Sequence, residues 1–192
     1  RQIDIARRWL DAVDRLGIVN AVIHPGGLGR LRRGEASDEE VIADNVDAYA
    51  RLAAHIKGTE VRLCVENMSA RLGTAEELWA LARAVDSPQI GFCLDTGHGH
   101  LGGLSVPHIV LKPGERLWAS HIADNDTSGD QHLFPYGGTI DWPPVVEAYR
   151  QIDYQGLWNL EVGGERNDSR MIRDLRLRYV ASVLDWMWQV YL

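Results

Sequence analysis

Cysteine is scarce in this 192-residue chain: Cys64 and Cys93 are the only two, each inside an apolar run. Two buried thiols without a spacing pattern build no disulfide framework, so a reducing, cytoplasmic compartment is expected. No apolar run is long enough to cross a bilayer, and no signal peptide opens the chain: Asp4, Arg7, Arg8, Asp11, Asp14 and Arg15 interrupt its first twenty residues. No membrane partner is expected. Positive charge is also in deficit, with 20 Lys and Arg against 27 Asp and Glu and a formal charge of −7. Such a surface repels phosphate backbones, which disfavours nucleic acid. Internal repeats, linkers and an initiator Met are lacking too, and a chain that starts at Arg1 reads as processed or as a piece of something longer. What is present, 45% apolar, 24% charged and 8% aromatic residues, is an ordinary globular mixture that should bury one core in a single domain over 1–192.

Ile5, Trp9, Leu10, Val13 and Leu16 recur at helical spacing until Gly17. The β-branched run 18–24 ends in HPGG, a turn signal, and a polar, Gly-containing loop follows. Ser37 with Glu40 and Thr74 with Glu77 stand in capping-box spacing, which predicts helices over 37–57 and from 74 through Arg83. Runs at 61–67, 90–95, 117–124 and 156–162 read as strands. A Gly- and His-rich stretch occupies 97–108, a helix of roughly ten residues starts near Pro143 and Pro144, and a last helix from about Ser169 to the C-terminus carries Ile172, Leu175, Tyr179, Val183, Trp186 and Met187. Such alternation implies parallel strands with helical crossovers. Units of about 30 residues match the pace of a (β/α)8 barrel, whose full length is typically about 250 residues. Five strands cannot close one. The α/β fold is therefore either an open doubly wound sheet or the C-terminal five strand-helix units of a TIM barrel. An open five-strand piece would expose two strand edges and an apolar interior, so it should aggregate or pair with another chain, a homo-oligomer included.

At or near the C-terminal end of each predicted strand stands a polar residue able to bind metal: His24, Glu66, Asp95, His121 and Glu161. In parallel α/β folds those ends form one rim, so five side chains would meet there. Period two puts Cys64 on the face of Glu66 and Cys93 on that of Asp95, where small thiols can fill the interior beneath. Taken singly, a strand-end acid often caps the next helix and a strand-end His is often a satisfied core group. Jointly, three carboxylates on one rim repel one another unless a cation compensates them. Two glutamates, an aspartate and a histidine suit Mn2+, Mg2+ or Co2+, and Zn2+ as well. His98 follows three residues after Asp95, and Asp130 with His132 lies on the loop DNDTSGDQH, from which the pair can reach back to a polar substrate or a further metal ion. Asp126 fits a solvated turn, and His55 and His108 read as surface or core residues.

The motifs HPGG, CVENMS, GFCLDTGHGHL, HIADNDTSGDQHLFPYGGTIDW and WNLEVGG, in this order from about Ile18 to Glu161, resemble those of the xylose isomerase-like TIM-barrel superfamily. That superfamily holds sugar phosphate isomerases/epimerases and AP endonuclease family 2. The resemblance implies that the five strands are the fourth to eighth of the barrel and that Glu66, Asp95, His121 and Glu161 bind one divalent metal. It also implies that Glu66 and Glu161 are catalytic, acting as acid and base on opposite faces of a sugar or sugar phosphate. The reaction would be proton abstraction and return through a metal-stabilised enediolate. His98 would contact substrate, and Trp118 or Trp158 would form an apolar wall unless they are core residues. The endonuclease IV branch is the rival: it holds three zinc ions with the same four residues plus His24, His98, Asp130 and His132, and acts on abasic DNA. The acidic charge opposes that reading, and the one basic cluster, Arg30, Arg32 and Arg33, fits a solvated loop. Sugar dehydratases are a nearer alternative. Tyr136 departs from the family, which usually has Gly there, and puts the conformation of its loop in question.

Overall fold

Local signals set the frame of the fold. The Ser37 hydroxyl accepts the Glu40 N–H at 3.2 Å while the Glu40 carboxylate accepts the Ser37 N–H at 2.8 Å, and Thr74 with Glu77 repeats the pair. Two orphan amides are satisfied at each helix start. In the computed structural model, which describes residues 2–69, 71–163 and 169–190, the order begins with α1 (Gln2–Arg15), β1 (Asn20–Ile23), α2 (Leu28–Arg32) and α3 (Asp38–His55). It continues through β2 (Arg62–Glu66), α4 (Ala75–Val85), β3 (Ile90–Asp95), α5 (Thr96–Leu101) and α6 (Val106–Leu111). β4 (Leu117–Ile122), α7 (Trp142–Gln151), β5 (Trp158–Leu160) and α8 (Arg170–Val190) complete it. Gly164, which ends the motif WNLEVGG, and the last two residues expected in the final helix lie outside the described residues.

The strands form one parallel sheet in the order β1-β2-β3-β4-β5. Because this order never reverses there is no topological switch point, which separates a half-barrel from a doubly wound sheet. Leu63, Val65, Phe92 and Leu94 point outward into the core shared with Tyr49, Leu52, Leu78, Leu81, Ile109 and Tyr149 on the helices. Cys64, Glu66, Cys93 and Asp95 occupy the alternate, inner positions. Among the described residues β1 pairs only with β2 and β5 only with β4, so both edges of the half-barrel are open.

Several stretches differ from the sequence expectation, the last strand among them, which spans only Trp158–Leu160 of the expected 156–162. The Gly- and His-rich segment holds two short helices, because the Asp95 carboxylate caps α5 by accepting the His98 N–H at 2.6 Å, and Gly99 leaves room for Ile109, which any Cβ there would hit. A short helix, α2, interrupts the polar loop after HPGG. On α8 the inward residues are Val180 and Met187, with Val183 and Leu184 partly covered, whereas Ile172, Leu175, Tyr179 and Trp186 are exposed. On α1 Leu10 is buried while Trp9 and Leu16 are exposed. No helix of the described residues is long and apolar enough to cross a membrane.

The strand expected to reach 124 stops at Ile122, and Asp124 anchors the following loop instead. One of its oxygens, Oδ1, accepts the N–H groups of Asn125 at 2.8 Å and Ile140 at 3.1 Å. The other accepts the Tyr136 N–H at 3.1 Å and the Trp142 indole N–H at 3.0 Å. Asp124 and Leu133 also exchange backbone bonds of 2.8 and 2.9 Å. Tyr136 takes the left-handed conformation, with φ 67°, that a glycine would adopt at no cost. Its N–H bond to Asp124 and its ring packing against Trp142 and Trp186 offset that cost, so the loop keeps its turn despite the departure from glycine.

Two substitutions test this account by urea denaturation. Thr74→Ala removes one cap and should lower the unfolding free energy by about 1 kcal/mol. Asp124→Asn keeps the shape but turns an NH2 toward two of the four donors, and should cost about 2 kcal/mol or more; a smaller loss than in Thr74→Ala would show that the anchor contributes little.

Candidate metal centre and its rim

Register decides which side chains meet. Glu66 and Asp95 end β2 and β3, His121 is the last but one residue of β4, and His24 and Glu161 each follow a strand by one residue. Glu66 pairs with Cys93 and Asp95 with His121, so the polar groups stand in adjoining tiers on the inner face. One ligand atom from each of Glu66, Asp95, His121 and Glu161 lies within 4.8 Å of all the others. His121 Nδ1 is 3.1 Å from Glu66 Oε2 and 2.6 Å from Glu161 Oε2.

Ion-pair contacts within the cluster stand here in place of aligned hydrogen bonds. Glu66 Oε1, Asp95 Oδ2, His121 Nδ1 and Glu161 Oε2 are all buried without an aligned partner. A buried polar atom left in that state is costly. Four of them, from four strand ends, converge on one small space whose span suits donors placed about 2.0–2.2 Å from a shared ion. The donor set, three carboxylates and one imidazole, fits a divalent cation.

Electrostatics show the same crowding. Burial is the main reason that the Asp95 carboxyl is pushed up to about 6; His98 opposes the rise, and the charges of Glu66 and Glu161 add to it. Burial also acts to raise Glu66, yet contacts with His121 and His98 outweigh it and hold that carboxyl at about 2. For His98, burial acts to lower the pKa, but Glu66, Asp95 and Asp130 push it up to about 9. His121 moves upward for the same reason, chiefly through Glu66, against its own burial. Positive charge is what this cluster draws in.

A second group leans over the first. His98 Nδ1 is 3.3 Å from Glu66 Oε1 and lies 3.0 Å from the Asn67 carbonyl oxygen. Asp130 Oδ2 is 3.4 Å from His98 Nε2 and 3.3 Å from His132 Nε2, while His132 Nδ1 lies 2.8 Å from the Glu161 carbonyl oxygen. The loop after β4 thus brings Asp130 and His132 back to the rim. His24 is more than half exposed and reaches Glu66 Oε2 at 3.0 Å.

Asn67 is the site residue that sequence reasoning missed. It accepts the Asp95 N–H at 2.7 Å and donates to the Asp95 carbonyl at 3.0 Å, clamping β3 beside β2. Its place directly after Glu66 in CVENMS was the available signal, but its partner is 28 residues away. Other polar residues have local tasks. Asp126 accepts the Ser128 N–H, His55 pairs with Asp11, His108 with Glu76, and His100 with Thr139. Arg30 pairs with Asp44 and Arg33 with Glu35, as in a solvated loop. Trp118 lies under Arg62 at the opposite end of its strand, and Trp158 packs between Tyr149 and Trp188, so both act in packing and neither walls the site.

The chain is 28% identical over 169 residues to the uncharacterised protein y4fM of Sinorhizobium fredii, a match that takes in 85% of this chain and 53% of that protein. It is 28% identical over 85 residues to a D-psicose 3-epimerase of Enterocloster bolteae, covering 44% and 27% of the two chains. Among solved structures, a D-psicose 3-epimerase in the presence of D-fructose superposes with a TM-score of 0.79 at 18% identity, over 97% of this chain and 70% of that one. The IOLI protein with a zinc atom superposes with a TM-score of 0.76 at 17% identity, over 99% and 70%. These two likenesses are of fold. The chain spans about half the length of the curated relatives it matches. The profile of the xylose isomerase-like TIM barrel family matches residues 1–185, and because that match takes in all five strands with their rim residues, the chain belongs to this family.

Proposed function

We propose that this chain carries the reaction centre of a divalent-metal-dependent isomerase or epimerase acting on a sugar or sugar phosphate. The observation that carries the reading is the convergence of three carboxylates, two of them glutamates, and one imidazole whose buried atoms make no aligned hydrogen bond. The D-psicose 3-epimerases among its sequence and structural relatives support the substrate class. Glu66, Asp95, His121 and Glu161 would hold the ion, with Mn2+, Mg2+, Co2+ and Zn2+ all compatible with the donor set.

When bound, the cation supplies Lewis acidity to a carbonyl and its neighbouring hydroxyl, which acidifies the C–H between them and stabilises the enediolate charge. Glu66 and Glu161 approach His121 Nδ1 from two different strands and so can address a substrate from two sides. One carboxylate removes the proton and the other returns it. Return to the same carbon from the other face epimerises the sugar; return to the adjacent carbon exchanges aldose and ketose. Asp95 carries no proton step and serves as a donor held in place by Asn67. His98, Asp130 and His132 line the rim with polar groups suited to sugar hydroxyls, and the half-exposed His24 faces its open side. The pairing of Arg30 and Arg33 with acids leaves the formal charge of −7 to govern the approach of polyanions, which favours a small sugar over DNA.

Glu161→Gln should lower turnover by about 10²-fold or more, read as conversion of a panel of ketoses to their epimers and aldoses. Undiminished conversion in that variant would overturn the assignment.

A further inference from the structure

We propose that Cys93 is a recruitable ligand of this centre, through which thiophilic ions such as Cd2+ are bound by sulfur together with Glu66 and His121. The inference rests on the metal-centre reading above and adds a second donor set to it. Cys93 precedes Asp95 by two residues on β3, so both face inward, and it stands in register with Glu66 on β2. A ligand atom from each of Glu66, Cys93 and His121 lies within 4.8 Å of the other two. A thiol near a satisfied cluster would be filler. Here the cluster is only loosely satisfied: Glu66 is wholly buried, and neither its Oε1, 3.3 Å from His98 Nδ1, nor His121 Nδ1, set between the Glu66 and Glu161 carboxylates, makes an aligned hydrogen bond.

Two donor sets therefore share Glu66 and His121. The upper one adds the oxygens of Asp95 and Glu161 and suits hard ions; the lower one adds sulfur, which soft and borderline ions prefer. A zinc–sulfur bond of about 2.3 Å against a zinc–nitrogen bond of about 2.0–2.1 Å is compatible with the observed spacing. When Cd2+ enters, the S–H bond breaks as the S–Cd bond forms from the sulfur electron pair, the proton passes to the buffer, and nothing is oxidised or reduced. Cys64 serves as the internal control. It lies on the same face of β2, in register with Gly91, one tier further from the rim and outside the donor group.

The test uses the full chain, stripped of metal and titrated separately with Cd2+ and Mn2+. Cd2+ should raise an ultraviolet sulfur-to-cadmium charge-transfer band that Mn2+ does not produce. Cys93→Ser should abolish the band and weaken Cd2+ binding about tenfold or more, with Mn2+ affinity within about twofold of the parent. Cys64→Ser should keep the band, and Cys93→Ala replaces the serine variant if its circular dichroism shows misfolding. Cd2+ binding without a band, a band that survives loss of Cys93, or equal weakening of both ions would overturn the proposal while leaving the metal centre standing. Binding of neither ion would overturn both.

Discussion

Like charges that have been brought together and buried are the constraint on which this molecule turns. Parallel strands deliver Glu66, Asp95 and Glu161 to one rim, where water is excluded from Glu66 and Asp95 and the charges of Glu66 and Glu161 add to the rise in the proton affinity of Asp95. Such a cluster is unfavourable on its own terms and becomes favourable only with positive charge among its members. His121 and His98 provide part of it, and the unpartnered oxygens mark where a divalent ion would provide the rest. The geometry that makes the cluster costly is the same geometry that would make it a ligand set.

Holding that arrangement requires a scaffold that does not relax. Beneath the rim, Leu63, Val65, Phe92 and Leu94 lock the strands against their helices. At the rim, Asn67 ties β2 to β3, and the Thr96 hydroxyl ties the start of α5 to Ala123 by bonds of 2.6 and 3.0 Å. Asp124 then fixes the long loop from its far end, so that Asp130, still open to solvent on one side, and the partly buried His132 reach His98 and Glu161. Asn67, Thr96 and Asp124 each spend a buried polar group on position, and each makes at least two aligned hydrogen bonds where the four cluster atoms make none.

Much of this was legible in the sequence, for physical reasons. Strand ends were visible because Glu66 and Asp95 each follow a short apolar run with period two, and a parallel sheet puts all such ends on one side. Capping boxes were visible because Ser37 with Glu40 and Thr74 with Glu77 act over three residues. Asn67 and Asp124 were not, since an amide or a carboxylate that bonds to backbone 12 to 28 residues away leaves no periodic trace. The helix α5 was obscured by Gly97, Gly99 and Gly102, whose propensity opposes a helix that the Asp95 cap and close packing on Ile109 nonetheless stabilise. The apolar stripe on α8 foretold a helix, but its exposed Leu175 and Tyr179 show that periodicity alone does not name the face that is covered.

The central claim is that four strand-end side chains form one divalent-cation site, and metal stoichiometry tests it most directly. Chain stripped with chelator, dialysed against Mn2+ and submitted to elemental analysis should retain about one ion per chain, and Asp95→Asn should lose it. Retention of no ion by the parent, or undiminished retention by the variant, would contradict the account.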